Sequence, residues 1–249
     1  MSFTLFFDDG GVLNDNAIRG PQWRAYCGEF FHSKFGGDPE MWAKANLKAI
    51  TSLTDPNDAI WDISKEIIND YLTFNTKFKS EWVKRIFEAA GMPVPPKKDH
   101  ERIFDATGKY VWPKVHSAIP GIIESIKILY SKGFVLYTST ALHSTEIKMI
   151  LGALGIKQFF NGFYGPDLIN TPKHRPEFFE EILNDAGVNP RRAIFIEDRP
   201  GFIEYALKTG AHIIQACATG EFPPQYPFYV ENMNELPQVI DNLIRTLNV

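Results

Sequence analysis

The sequence predicts an α/β fold with a parallel sheet, interrupted near its start by an all-helical insert. From Ile119 onward, short apolar runs alternate with amphipathic helical patterns, which is typical of βαβ units. Between residues 15 and 114, strand signals are nearly absent and helical patterns dominate. We therefore expect residues 1–14 and 115–249 to form one core domain, and residues 15–114 to form a helical cap domain.

The first strand is predicted at the apolar run Phe-Thr-Leu-Phe-Phe, which covers residues 3–7. Asp8 follows this run directly, and Gly10 and Gly11 come next as a turn. In open α/β sheets, ligands bind beyond the carboxyl ends of the strands. Glycines at that point let a small anion such as phosphate approach the backbone. Asp8 either faces a ligand site or caps the turn, because Asp is also common in turns.

The insert contains five segments with helical patterns, at residues 21–35, 39–53, 58–71, 79–90 and 99–110. Turn signals rich in Gly and Pro separate them. All five tryptophans fall within the insert: Trp23, Trp42, Trp61, Trp82 and Trp112. We expect them to fill the core of this small module. Alternatively, Trp42 and Trp61 form an aromatic wall over a ligand site.

The remaining elements follow in alternation after the insert. Strands are predicted at 134–138, 159–163, 193–197 and 211–216, and helices at 121–132, 142–154, 175–187, 201–209 and 233–247. A proline-rich segment at 221–227 is predicted to be a surface loop.

Polar side chains stand at the ends of these later strands and before one helix. Thr138 and Ser139 end the second strand, Lys173 precedes an amphipathic helix, and Glu197 and Asp198 end a third buried strand. Taken singly, each residue has a simpler explanation as a surface lysine, a local hydrogen-bonding hydroxyl or a helix-capping acid.

Together with Asp8 and in this order, these residues resemble the motifs of the haloacid dehalogenase-like (HAD) hydrolase superfamily. Its four motifs are an Asp nucleophile on the first strand, a Ser or Thr, a Lys and a terminal acidic pair. They match Asp8, Thr138, Lys173 and Glu197-Asp198. The resemblance implies a Rossmann-like core flanked by helices, with a helical cap between the first two motifs.

The same resemblance implies Mg²⁺-dependent hydrolysis of a small phosphorylated metabolite through an aspartyl-phosphate on Asp8. Its implied residues have three roles: catalysis by Asp8, Thr138 and Lys173, substrate binding by Gly10, Gly11, Thr138, Ser139 and Lys173, and metal binding by Asp8, the Gly10 carbonyl, Glu197 and Asp198. The residue types suit this chemistry, because a carboxylate can form a covalent phosphoryl intermediate and Mg²⁺ prefers oxygen ligands.

One position departs from the pattern of the superfamily's phosphatases. Two residues after the nucleophile they carry a second Asp, which serves as the general acid and base, and this chain has Gly10 there. Asp9 is an acid, but strand alternation points its side chain to the opposite face. Loss of a general acid typically slows such a reaction 10²–10⁴-fold, or about 3–5 kcal/mol of barrier.

This departure leaves alternatives to ordinary phosphatase activity. One is a catalytically impaired member that binds a phosphorylated metabolite or a protein. Another is an enzyme that cleaves a C–P or C–halogen bond. The C–P alternative needs a cap lysine for a Schiff base, and Lys44 and Lys48 are the available residues.

Composition adds further expectations. The net charge of −4 and the pI near 5.9 give no broad basic field, so nucleic acid is not an expected partner. No apolar run is long enough to span a membrane and no basic-then-apolar leader precedes the first strand, so we expect a cytoplasmic protein without a membrane partner. The two cysteines, Cys27 and Cys217, are expected to be reduced, packed thiols. The sequence does not predict an oligomeric state.

Overall fold

The computed structural model describes residues 3–55, 57–60 and 70–247, and it divides the chain into two compact units. One unit comprises residues 1–16 and 117–249, and the other comprises residues 17–116. We call them the sheet unit and the helical unit. Both domain boundaries predicted from the sequence lie two residues before the boundaries between these units. No helix of the described residues is both long and apolar enough to cross a membrane.

The helical unit contains four long helices in its described part. They are α1 (Asn16–Phe35), α2 (Pro39–Leu53), α3 (Tyr71–Ala89) and α4 (His100–Val111). Two of their starts differ from the prediction. Helix α1 begins before Pro21, and α3 begins eight residues before the predicted 79. The helix predicted at 58–71 falls largely outside the described residues.

Aromatic rings fill the core of the helical unit. Phe31 stacks on Trp42 with 5.0 Å between ring centroids, and edge contacts of 5.9 and 5.8 Å join it to Trp82 and Phe87. Trp42 is fully buried, and its indole N–H donates to the carbonyl of Gly36 at 2.7 Å. Trp42 is therefore a core residue, and its proposed place in an aromatic wall is wrong. Trp61 lies outside the described residues.

The sheet unit contains six parallel strands in the order β3-β2-β1-β4-β5-β6. Their bounds are β1 Thr4–Phe7, β2 Val135–Ser139, β3 Gly162–Tyr164, β4 Ala193–Glu197, β5 His212–Ala216 and β6 Tyr229–Val230. The first strand thus lies at the centre of the sheet, as its continuous burial requires. The predicted α/β class with a Rossmann-like parallel sheet is confirmed.

Helices flank this sheet. They are α5 (Ile122–Ser131), α6 (Ser144–Ala153), α7 (Pro166–Ile169), α8 (Glu177–Asp185), α9 (Pro200–Lys208) and α10 (Leu236–Thr246). Four were predicted within two residues and α10 starts three later, while the short α7 and β6 were not predicted. Strand β3 starts at Gly162 because a 3₁₀ turn, Lys157–Phe159, occupies part of the predicted 159–163.

Strand register brings the sequence motifs together. Phe7 lies opposite Thr138 on one side and Ile196 on the other. The next residue, Asp8, is therefore level with Ser139 and Glu197 at the carboxyl ends of three adjacent strands. A stacked pair of rings, Phe6 and Phe195, with centroids 4.7 Å apart, packs these strands just below that edge.

Candidate active site

Lys173 is the centre of the candidate site. Its ammonium lies 2.7 Å from Asp8 Oδ1 and 2.6 Å from Glu197 Oε2, and it donates to the Ser139 carbonyl at 2.8 Å. The side chain is almost completely buried, in contrast to the surface position of most lysines. Burial alone lowers the pKa of Lys173, but the charges on Asp8 and Glu197 outweigh it and raise the pKa above its ordinary value. A permanent positive charge therefore sits beside Asp8.

Three carboxylates surround this ammonium. Asp8, Glu197 and Asp198 are all buried, and each offers an oxygen within 4.8 Å of the others. Burial, and then the charge of Asp8, raises the pKa of Glu197 well above its usual range and that of Asp198 to about 6. Lys173 opposes both shifts without cancelling them. When all are ionised, three negative charges face one positive charge.

The donor set of this acidic cluster suits a hard divalent cation. With three acids and one ammonium the ionised cluster carries a net charge of −2, which one divalent ion would neutralise. No N–H or O–H of the described residues donates to Glu197 Oε1, although that atom is buried. Buried carboxylates without enough donors are costly unless they are paired or coordinate a metal. Mg²⁺ fits, since it binds carboxylate and carbonyl oxygens.

Gly11 lies directly against the acidic cluster. Its φ is +78°, in the left-handed region, and a Cβ at this position would lie 2.2 Å from Asp198 Oδ2. Only a glycine therefore fits between the turn and Asp198. The backbone N–H of Gly11 donates to the carbonyl of Asn14 at 2.8 Å, so it serves the turn rather than a ligand.

The turn after β1 is held by Asp9 and Asn14. The Asp9 carbonyl accepts the N–H groups of Leu13 and Asn14, both at 2.8 Å, and its carboxylate accepts from the Asn14 side-chain amide at 2.7 Å. The Asn14 amide oxygen in turn accepts from the Ser117 hydroxyl at 2.9 Å. The Asp9 carboxylate is thus engaged with Asn14 within the turn. Ser117 is far from Asn14 in sequence, so no local pattern indicates this contact.

The two hydroxyls that end β2 have different surroundings. Thr138 is buried, and its hydroxyl donates to the carbonyl of Tyr164 on the neighbouring strand at 3.2 Å. Ser139 is also buried, but no hydrogen-bond partner among the described residues reaches its hydroxyl. Its own carbonyl binds Lys173. Ser139 therefore offers the free hydroxyl beside the cluster, whereas the Thr138 hydroxyl is engaged in the sheet.

Three further polar residues, His143, Lys44 and Lys48, have structural roles or exposed positions. His143 accepts from the Thr145 backbone at the start of α6, so it caps that helix. Lys44 is exposed and pairs with Glu40 at 3.6 Å, and Lys48 is exposed as well. Neither lysine has the buried surroundings that lower the pKa of a Schiff-base lysine. Cys27 and Cys217 are free and buried, as predicted.

A parallel sheet with an acid, a buried lysine and an acidic pair at its carboxyl edge defines a hydrolase-like site, and sequence comparison agrees. The family model for the haloacid dehalogenase-like hydrolases matches residues 52–216, well over half of the chain. The chain belongs to this family, and it is a hydrolase. The matched range contains Lys173, Glu197 and Asp198, whereas Asp8 precedes it.

Two relatives carry phosphatase names. The pyrophosphatase PpaX of Halalkalibacterium halodurans is 25% identical over 160 residues, which cover 59% of this chain and 74% of that protein. A phosphoglycolate phosphatase of Haemophilus influenzae is 25% identical over 95 residues, which cover 38% of this chain and 42% of that protein.

Solved structures share the fold over nearly the whole chain. A 2-haloacid dehalogenase from Pseudomonas syringae pv. Tomato superimposes with a TM-score of 0.65 at 18% identity and covers 98% of this chain and 100% of its own. The HAD hydrolase YfnB of Bacillus subtilis, solved with magnesium bound, gives a TM-score of 0.63 at 15% identity, with 96% of this chain and 99% of its own covered. At these identities the comparison shows the fold alone.

Proposed function

We propose that this hydrolase cleaves small phosphorylated metabolites through an aspartyl-phosphate on Asp8. The observation that carries the proposal is the buried ion pair of Asp8 and Lys173, 2.7 Å apart, next to Glu197 and Asp198. The names of the two relatives, a pyrophosphatase and a phosphoglycolate phosphatase, support phosphate chemistry on small substrates.

The reaction takes two displacements. An Asp8 carboxylate oxygen attacks phosphorus, the bond from phosphorus to the leaving oxygen breaks, and that oxygen keeps the electron pair. Water then attacks the phosphorus of the aspartyl-phosphate, which releases phosphate and regenerates Asp8. Lys173 holds the Asp8 carboxylate in one orientation and supplies positive charge where the phosphoryl oxygens must lie.

Asp8, Asp198, the Gly10 carbonyl and Glu197 are the proposed Mg²⁺ ligands, with Glu197 bound directly or through water. The ion would neutralise charge on the phosphoryl oxygens. The unsatisfied Glu197 Oε1 and the excess negative charge of the cluster support this assignment.

A hydroxyl donor to the phosphoryl group is the remaining requirement. The superfamily motif matches Thr138, and the neighbouring Ser139 is the second hydroxyl at the strand end. We favour Ser139 as the donor, because its hydroxyl is buried and unengaged among the described residues while that of Thr138 donates to Tyr164. Thr138 then supports the site by fixing the end of β2.

Gly10 sets the kind of leaving group that the site can handle. No carboxyl group stands at this position, and Asp9 is bound to Asn14. The leaving oxygen must therefore depart without a proton from the usual acid. Hydrolysis should be slowed about 10²–10⁴-fold for substrates with poor leaving groups such as alkoxides, whereas acyl and nitrophenyl leaving groups need little protonation.

A leaving-group series tests the proposal. We expect acetyl phosphate and p-nitrophenyl phosphate to be turned over with Mg²⁺, far faster than alkyl phosphates, and a burst of product to precede slow release from Asp8. Gly10→Asp should narrow the gap between good and poor leaving groups. Asp8→Asn should abolish both the burst and the thermal stabilisation by beryllium fluoride with Mg²⁺, a mimic of aspartyl-phosphate.

Two outcomes would count against this function. Equal parent rates on alkyl and aryl phosphates would show that another residue supplies the proton. Absence of phosphate release from every substrate, combined with a beryllium fluoride shift that survives in Asp8→Asn, would favour the alternative of a binding protein without this chemistry.

A further inference from the structure

Arg199 stands immediately after the acidic cluster. It follows Asp198 in sequence and is the residue that precedes helix α9. Its side chain is exposed, and no carboxylate of the described residues forms a salt bridge with it. Its charge opposes the rise in the pKa of Asp198, but a guanidinium outside any salt bridge of the described residues is available for a ligand.

Two aromatic rings hold this guanidinium in place. The Cζ atom of Arg199 lies 5.6 Å from the centroid of Phe202 and 5.9 Å from that of Phe222. Phe202 is on α9, and Phe222 is on the loop that follows β5. Cation–π contacts of this kind favour one position of an arginine while leaving its N–H groups unused. Arg199 is therefore preorganised although it is exposed.

The ring of Phe202 also ties Arg199 to the catalytic lysine. The Lys173 ammonium lies 5.1 Å from the same ring centroid. Since Arg199 Cζ is 5.6 Å from it, the two cationic groups can be no more than about 11 Å apart. A small molecule with two anionic ends has a length that allows it to contact both the Lys173 ammonium and the Arg199 guanidinium.

We propose that Arg199 binds a second anionic group of the substrate, so that this enzyme prefers small phosphate compounds with a carboxylate or a further phosphate. The inference rests on the proposed function, in which Lys173 and the metal face the phosphoryl group that is cleaved. The planar guanidinium presents paired N–H donors that match either anion in a bidentate contact. Arg199 acts here in substrate selection and takes no part in bond cleavage.

Inert ligands separate selection from turnover. Methylphosphonate carries one anionic end, phosphonoacetate adds a carboxylate, and methylenediphosphonate adds a second phosphonate. Calorimetric titration with Mg²⁺ gives the ratio of the methylphosphonate Kd to the Kd of each longer ligand. Chelation of Mg²⁺ in solution is the same for all variants, so it cancels when the ratios are compared between them.

We expect a parent ratio of about 10 or more for at least one longer ligand, because a charge-assisted bidentate contact contributes on that order. Arg199→Gln should bring the ratio near 1, and Arg199→Lys should give an intermediate value. Arg191→Gln is the matched control, since Arg191 is also exposed but lies at the opposite end of β4. It should leave the ratio as in the parent. The longer ligand whose Kd ratio falls in Arg199→Gln identifies the second anion as a carboxylate or a phosphate.

A ratio unchanged in Arg199→Gln, a parent ratio near 1, or an equal loss in Arg191→Gln would overturn the inference. If Arg199→Gln fails to fold, Phe222→Leu provides a second test, because it removes one positioning ring and keeps the charge; its ratio should fall at least two-fold, and an unchanged ratio would overturn the inference. Failure of the proposed function is seen separately, as absence of phosphate release from p-nitrophenyl phosphate by the parent.

Discussion

At the scale of single residues, the contact between Gly11 and Asp198 limits what the first turn can contain. We expect Gly11→Ala to destabilise the protein by about 2–4 kcal/mol, because a Cβ would meet the Asp198 carboxylate at 2.2 Å and the φ of +78° disfavours any side chain. Chemical denaturation measures the loss, and calorimetry should show weaker Mg²⁺ binding.

Gly133→Ala is the control for this substitution. Gly133 has a φ of +81° but nothing within 4 Å of its added Cβ, so it isolates the backbone penalty of about 1 kcal/mol. Equal destabilisation by the two variants would mean that the turn yields to a side chain and that Gly11 is not held against Asp198.

Asp198 itself gives a direct test of the metal assignment. Ligand binding stabilises a protein by RT ln(1 + [L]/Kd), about 2.7 kcal/mol when Mg²⁺ is at 100 times its Kd. Asp198→Asn should remove this Mg²⁺-linked stabilisation, measured as the shift in Tm on adding the ion. If calorimetry finds parent-like Mg²⁺ affinity in the variant, Asp198 is not a ligand.

Residue identities at the candidate site could be proposed from the sequence, but their individual contacts could not. Asp8, Lys173 and the acidic pair meet because strand ends in a parallel sheet share one edge. The different surroundings of Thr138 and Ser139 depend on Tyr164, which belongs to a strand whose exact register no local pattern sets. Gly11 likewise leaves room for the Asp198 side chain because it has no Cβ, and its N–H donates a hydrogen bond within the turn.

At the scale of elements, a carboxylate on one helix accepts hydrogen bonds from the first residue of another. Asp167 of α7 accepts from the Ser144 backbone N–H at 2.7 Å and from its hydroxyl at 2.6 Å, at the first residue of α6. Asp167→Ala should therefore destabilise the sheet unit by about 1–2 kcal/mol, since it leaves a helix-terminal N–H without its partner. Thermal or urea denaturation provides the measurement.

The neighbouring Leu168→Ala serves as the comparison, because Leu168 is 53% exposed on the same short helix. Its effect should stay within about 0.5 kcal/mol. A similar loss in both variants would assign the effect to α7 as a whole rather than to the capping carboxylate.

Element prediction succeeded where apolar periodicity was strong and failed where caps decide the boundary. Helix α3 begins at Tyr71, where the Asp70 side chain accepts from the Thr73 N–H, but its first turns contain the weak helix formers Thr73, Asn75 and Thr76, which obscure the helical pattern. Helix α1 continues through Pro21, which interrupts one backbone hydrogen bond without ending the helix. The short β6 and α7 lack the length that makes a periodic pattern visible.

At the scale of the whole molecule, the protein without Mg²⁺ should lose stability as pH rises, whereas its stabilisation by Mg²⁺ should increase. The pKa of Asp198 rises from 3.8 to about 6 on folding. An acid whose pKa is raised on folding stabilises the folded state fully below pH 4, and this stabilisation is lost as pH rises through 6. The Mg²⁺-dependent shift in Tm should grow over the same interval, because protons compete less with the ion as Asp198 ionises.

Differential scanning calorimetry from pH 5 to pH 8, with and without Mg²⁺, measures this effect. Asp198→Asn lacks the titrating group, so its Mg²⁺-free stability should vary less across the interval. A parent whose Mg²⁺-dependent shift is constant from pH 5 to pH 8 would show that Asp198 does not govern binding of the ion.

The central place of β1 also has a consequence for biosynthesis. Its two neighbours, β2 and β4, are made about 130 and 190 residues later, so at 5–20 residues per second the strand waits on the order of 10–40 s for its second partner. During that time its apolar run lacks at least one of its two neighbouring strands in an incomplete sheet. Nascent chains stopped before residue 193 should therefore bind chaperones and be cleaved near Phe6, whereas chains extended well beyond Ala216 should be protected there.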